Sequence, residues 1–263
     1  MYRDHPVCKK PDDENIKIWR YLDLTKFLSI LNTKSLFFTR MDKLGDPFEG
    51  SLPSTEGQDY LDQYNWLIRE YKTINPIPNS ETPYTMPYYL RKNSYVCSFH
   101  VSSFESAALW SLYTKAKQGV AIQSTYKRLC ECFNDYHEND VYIGQVKYID
   151  YTTDKIPLSP NIMTPLVCKR KSFEYEKELR ALIFFPQQFR QPPEPGTNIS
   201  VKEIVEKQPP GFHVPVNLDI LIENIYIAPT TQSWVNELMS SLIKNFGIDK
   251  KILQSDLDKE PII

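Results

Sequence analysis

The chain has 263 residues, 41% of them hydrophobic and 24% charged, with a net charge of −2. That is ordinary globular composition, without the apolar run of about 20 residues that a membrane helix needs. The charge gives no global pull toward nucleic acid or an anionic surface, so nucleic acid is not indicated as a partner and rests on local basic patches. Residues 1–15 are polar and include Lys9-Lys10-Pro11-Asp12-Asp13-Glu14, unlike a signal peptide. They are expected to be a flexible amino-terminal segment before one domain over 16–263. Five scattered cysteines imply no disulfide framework, and the cytoplasm is the expected compartment.

Ile16 to Tyr21 alternates like a strand, and Asp23 can cap a short helix over Leu24–Leu31 that Asn32 ends. Leu36–Arg40 is the next strand, followed by a turn-rich loop, Gly45-Asp46-Pro47-Phe48-Glu49-Gly50. A helix is expected over Glu56–Ile74, and the proline-rich stretch Asn75–Pro87 should be irregular. Strands are expected at Tyr95–Phe99, Gly119–Ile122 and Tyr142–Tyr148, with helices over Glu105–Lys115 and from Thr125 to about Phe133. A basic run, Lys169-Arg170-Lys171, leads into Phe173–Arg180 and a buried strand over Ala181–Phe185. Gln187–Pro215 is proline-rich and reads as a surface excursion. The chain closes with a strand over Ile222–Ile227, a helix over Ser233–Phe246 capped by Gly247, and a strand at Ile252-Leu253. Strands outnumber long helices without steady alternation. The expected class is α+β: mixed, mostly antiparallel sheets with flanking helices.

With 8 glycines against 20 prolines, neither a P-loop nor a dinucleotide fingerprint is present. The strongest constellation is Glu176-Lys177-Glu178-Leu179-Arg180. In an extended chain Glu176, Glu178 and Arg180 point the same way, a group suited to ribose hydroxyls or to general base work. In a helix, Glu176 and Arg180 would instead form a solvated i,i+4 pair. Asp46 and Glu49 either flank a pocket or belong to a turn with Phe48 in the core. Arg20, between Trp19 and Tyr21, requires an acidic partner such as Glu176 or Asp46, or a bound anion. Trp110 and Tyr113 share a helix face, as packed anchors do. His100 and Cys130-Glu131-Cys132 lack partners at metal-ligand spacing, so no metal is expected.

Taken together, Trp19-Arg20-Tyr21, Asp46-Pro47-Phe48-Glu49, Ser98-Phe99, Trp110 to Tyr113 with Gly119-Val120, and Phe173–Arg180 resemble an uncharacterised bacterial family of unknown function. Their order also distantly resembles that of ADP-ribosyltransferases. That resemblance implies a related fold and NAD as substrate. Arg20, Tyr21 and Ser98 would bind NAD, Asp46, Glu49 and Arg180 would surround it, and Glu178 would be catalytic with Glu176 nearest the acceptor. The implied activity is ADP-ribosyl transfer or NAD cleavage, in bacterial defence or stress, on a macromolecular acceptor. The alternative is a non-enzymatic sensor or interaction module that binds a small anion, a nucleotide or a partner protein. A metal-dependent hydrolase using Asp46, Glu49 and Glu176 is least favoured.

Overall fold

A computed structural model describes residues 1–53, 88, 90–113, 119–156, 161, 163–186, 206–229 and 231–259. The expected helix over Glu56–Ile74, the stretch Asn75–Pro87 and most of the excursion from Gln187 lie outside the described residues. In chain order the strands are β1 (Tyr2–Arg3), β2 (Lys17–Asp23), β3 (Ser35–Arg40), β4 (Ser94–Val101), β5 (Gly119–Thr125), β6 (Val141–Gln145), β7 (Lys147–Ile149), β8 (Cys168–Arg170), β9 (Glu178–Phe184), β10 (Gly211–Pro215), β11 (Asn224–Ile227) and β12 (Lys251–Gln254). The helices are α1 (Leu24–Thr33), α2 (Ala107–Tyr113), α3 (Tyr126–Glu131), α4 (Leu218–Leu221) and α5 (Ser233–Asn245).

Ten strands form one sheet in the order β1-β6-β9-β4-β2-β5-β11-β12, with β3 against β4 and β10 against β3. Only the two outer pairs, β1 with β6 and β11 with β12, run parallel. The class is therefore α+β with a mostly antiparallel sheet. Strands β7 and β8 make a separate parallel pair. Among the described residues no helix is long and apolar enough to cross a membrane. None of the five cysteines forms a disulfide, and all are buried.

Asp23 caps α1 as expected, its carboxylate accepting from the Lys26 amide. The helix runs past Asn32 and ends where Lys34 takes a left-handed conformation, φ 47°. Phe27, Ile30 and Leu31 of α1 join Tyr126 and Leu129 of α3 and Met239 and Ile243 of α5 in the main core. The same cluster holds Phe99 of β4 and Leu179, Ala181 and Ile183 of β9. Because side chains alternate along a strand, Ser98, His100, Glu178 and Arg180 project from the other sheet face. There Trp19, Tyr21, Leu109 and Trp110 form one apolar cluster, and Met41, Val96, Leu166 and Leu182 another.

Four expectations change. Residues 1–15 do not stand apart. Tyr2–Arg3 pairs with Val141–Tyr142, and the backbone of Cys8 lies so close to Gly144 that an added Cβ would meet it at 2.6 Å. The strand expected over Tyr142–Tyr148 breaks at Val146, whose amide donates to the Glu178 carbonyl, and its second half leaves to pair with β8. Glu176 is not in a strand. Lys171–Glu176 is a 3-10 helix, Lys177 takes φ 39°, and β9 starts at Glu178. Finally, Gly211–Pro215 is an edge strand on β3 and not loop. Its prolines flank Phe212, His213 and Val214, and an edge tolerates a missing donor.

Candidate functional site

The cleft arises from a change of partner along one edge of β4. On its other edge β4 pairs with β9 without interruption, from Ser94 with Phe184 to His100 with Glu178. On the cleft edge, Tyr95 and Val96 pair with β3, whereas His100 and Val101 pair with β2. Between them Cys97, Ser98 and Phe99 have no strand opposite among the described residues. β2 and β3 diverge here, with α1 joining them, and a cleft of about 420 Å³ opens. Arg20, Tyr21, Ser98, Glu176 and Glu178 line it, with Tyr113 at the end of α2 and His213 on β10.

Register assembles the polar stripe. Ser98 sits opposite Arg180 and His100 opposite Glu178. Ser98 Oγ donates to Glu178 Oε1 at 2.5 Å, and Arg180 Nε donates to the same oxygen at 2.7 Å. The other Arg180 nitrogens reach the Leu166 carbonyl at 2.7 Å and Glu49 Oε2 at 2.6 Å. From the neighbouring β8, Lys169 Nζ bridges Glu176 at 2.6 Å, Glu178 at 3.0 Å and Glu49 at 3.3 Å. Three carboxylates against two cations leave this buried cluster one negative charge in excess.

The two glutamates facing the cleft titrate in opposite directions. Burial alone would raise Glu178, but Arg180 and Lys169 outweigh it and hold the carboxyl below the usual carboxylate range. For Glu176 burial prevails over Lys169, and its pKa rises. The two carboxyls are thus pushed apart, Glu178 toward the anion and Glu176 toward the protonated form. His100 Nδ1 lies 2.6 Å from the Glu176 carbonyl. A carbonyl only accepts, so Nδ1 carries the proton and fixes the tautomer. Burial pushes this imidazole below its ordinary pKa.

Arg20 behaves differently from the other site cations. Its NH1 donates to the Ser98 carbonyl at 2.6 Å, which the absent ladder partner leaves free. The guanidinium lies 5.5 Å from the Phe99 ring, and its Nε is buried without a hydrogen-bond partner. Neither expected acidic partner pairs with it. Glu176 is held by Lys169, and Asp46 takes a two-pronged bond from Arg170 at 2.8 and 3.0 Å. Among the described residues no carboxylate pairs with this half-buried arginine, which leaves a charge suited to an anion.

No protein-family model matches the chain, and no curated protein does. Among solved structures, the chain is similar to Thermus sp. 2.9 DarT in complex with ADP-ribosylated ssDNA. The identity is 8%, the match covers 96% of this chain and 99% of that chain, and the TM-score is 0.40. At that identity and score the likeness says nothing about what the chain does.

Of the expected site residues, Arg20, Tyr21, Ser98, Glu176 and Glu178 all line the cleft, but Arg20 enters the fork from the sheet face of Phe99, opposite the face that carries Tyr21, Ser98 and Glu178. Asp46, Glu49 and Arg180 do not line it. They lie beneath as a buried ionic support, with Arg180 only 1% exposed and its donors taken up by Glu178, Leu166 and Glu49. Phe48 is not in the core but 40% exposed, with the Arg170 guanidinium 4.6 Å from its ring. Trp110 is packed as expected and donates to Glu105, whereas Tyr113 is 48% exposed at the cleft wall. Lys169 is the residue the sequence reading missed as a site member. Its signal is the basic run Lys169-Arg170-Lys171, of which Lys169 and Arg170 are neighbours in β8 and project to opposite sides while Lys171 opens the 3-10 helix. Lys169 points to the glutamates, Arg170 to Asp46 and Lys171 outward to Asp154.

Proposed function

We propose that this cleft binds NAD and cleaves its nicotinamide–ribose bond, transferring ADP-ribose to an acceptor or to water. The observation that carries the reading is the pairing of two unlike groups in one open cleft. Among the described residues Arg20 has no acidic partner, and Ser98, Lys169 and Arg180 hold Glu178 toward its ionised form. The cleft volume lies in the range of small-molecule sites.

In this reading Arg20 meets a phosphate of the dinucleotide through a charge-assisted hydrogen bond. When the C–N bond breaks, its electron pair leaves with nicotinamide, and positive charge grows on the ribose. The fixed negative charge of Glu178 opposes that growth without reorganising, because Ser98, Lys169 and Arg180 already hold it. Glu176, whose pKa is raised, takes the proton that the acceptor hydroxyl or amine loses as its bond to ribose C1′ forms. No step needs a metal. The acceptor as a macromolecule, and a role in defence or stress, rest on the family resemblance of the sequence motifs.

One observation favours the non-enzymatic alternative. Glu178 is 4% exposed, and three side chains already bond its carboxylate. A carboxylate so occupied also suits a rigid binding site. Release of free nicotinamide from NAD by the purified protein separates the two. Release that disappears in Glu178→Gln supports the enzyme. NAD that binds through Arg20 but stays intact, with an acceptor-rich lysate added, supports the binding module.

A further inference from the structure

Behind the strand that carries Glu178 lies a second, larger cleft of about 790 Å³ that the proposed reaction does not use. Its inner wall is apolar, with Val7, Val101, Val146 and Val167. Three lysines, Lys9, Lys147 and Lys177, lie around it, and none forms an ion pair among the described residues. The backbone fixes where each begins. The Lys9 carbonyl accepts from the Gln145 amide at 2.9 Å, and the Lys177 carbonyl from the Val101 amide at 2.9 Å. Lys147 opens β7, immediately after Val146 has bonded to the Glu178 carbonyl at 2.9 Å. The three therefore converge on the ends of adjacent strands β6, β9 and β4. Lys177 adopts φ 39°, a conformation that a residue other than glycine rarely takes. Of the two acids that line the cleft, Glu178 is held by Lys169 and Arg180 and Glu174 forms no ion pair among the described residues, so the three lysines leave positive charge in excess.

We propose that this second cleft binds a phosphate-bearing molecule of nucleotide size. An apolar wall takes an uncharged ring or acyl body, and a rim of unpaired lysines takes several negative charges. Inorganic phosphate alone would leave the wall unused. The cleft also abuts the proposed active site. Tyr148 lines it, and its hydroxyl accepts from the Glu178 amide at 2.7 Å. A molecule lodged there sits one hydrogen bond from the backbone of Glu178, a residue that lines both clefts.

The test is calorimetric titration of the full chain with metal-free ATP and, separately, with tripolyphosphate. The expected result is that ATP binds more tightly than tripolyphosphate. Exchanging both Lys147→Gln and Lys177→Gln should weaken ATP about tenfold, as loss of two exposed charge-assisted contacts does. Lys147→Arg with Lys177→Arg should keep the affinity, and Arg20→Gln should leave it within about twofold. Because the lysines are exposed, the melting temperature of these variants should match the parent. The inference is overturned if the parent binds neither probe at millimolar concentration, or if the glutamine pair binds ATP like the parent. Loss of ATP binding in Arg20→Gln alone would assign the nucleotide to the first cleft. Equal affinity for the two probes would refute the nucleotide-sized body. None of these outcomes depends on NAD turnover, so the proposed reaction stands or fails separately.

Discussion

Replacing Lys169 by methionine keeps an apolar stem of similar length and removes one charge from the centre of the carboxylate cluster. The lost contacts are those to Glu176 at 2.6 Å, Glu178 at 3.0 Å and Glu49 at 3.3 Å. The side chain is 8% exposed, so solvent screens little of this. Breaking a buried ionic group from one side costs about 3–5 kcal/mol, because the partners stay behind uncompensated. For a chain of this size each kcal/mol moves the melting temperature by roughly 2–4 °C, so the drop at neutral pH should be about 6–20 °C. The effect carries its own signature in pH. Lys169 lowers the pKa of both Glu176 and Glu178, so without it both carboxylates take up protons at higher pH. Once protonated they no longer repel, and the deficit should shrink as pH falls through the carboxylate range. Differential scanning calorimetry of parent and Lys169→Met at pH 7.5 and 4.5 reads both quantities. A variant that melts with the parent would show that Lys169 does not hold the carboxylate cluster together. An equal deficit at the two pH values would show the same, since the loss would then be one of packing and not of charge.

Four further outcomes follow from the same geometry. Glu178→Gln should lower nicotinamide release by about 10²–10³-fold, and because Arg180 and Lys169 lose an anionic partner it should also cost about 3–5 kcal/mol in a urea denaturation. Arg20→Met removes a half-buried charge with an unbonded Nε, so calorimetry should give an equal or higher melting temperature while NAD affinity, read by titration, falls at least tenfold. Trp110→Ala should destabilise by about 3–5 kcal/mol, whereas Tyr113→Ala, at the open cleft wall, should stay within about 0.5 kcal/mol by the same denaturation. His100 is held neutral by burial, so stability should be present above the ordinary histidine pKa of about 6.5 and decline below it. In His100→Gln the slope of stability against pH between 7 and 5 should flatten.

The strands were legible because their alternation and turn residues are local signals. Arg20, Ser98 and Glu178 line one cleft, but the order of their motifs does not convey that Arg20 comes from the opposite sheet face. What the residues alone could not convey was who pairs with whom. Arg20 and Asp46 look like candidate partners in sequence. Asp46 goes to Arg170 because β8 presents that side chain toward the Gly45–Gly50 loop, and Arg20 is left facing the cleft. That choice depends on where separate strands come together, which is information of long range. Glu176 and Glu178 illustrate a second limit. Period two placed them on one strand face, but the left-handed turn at Lys177 puts Glu176 outside the strand. They still converge because Lys169 bridges them from a neighbouring strand. Tyr113 shows a third limit. The three-residue spacing from Trp110 predicts a shared buried face, but the Tyr113 side chain is 48% exposed and lines the cleft.

In the proposed reading the fork between β2 and β3 holds NAD with its scissile ribose at Ser98 and Glu178. A crystal structure of the Glu178→Gln protein soaked with NAD tests it most directly, since that substitution should slow turnover and retain the substrate. The predicted result is a dinucleotide in the cleft, with a phosphate oxygen within hydrogen-bond distance of Arg20 and the nicotinamide ribose beside Ser98 and residue 178. NAD bound elsewhere, or an empty cleft at a concentration where the parent releases nicotinamide, would contradict the account.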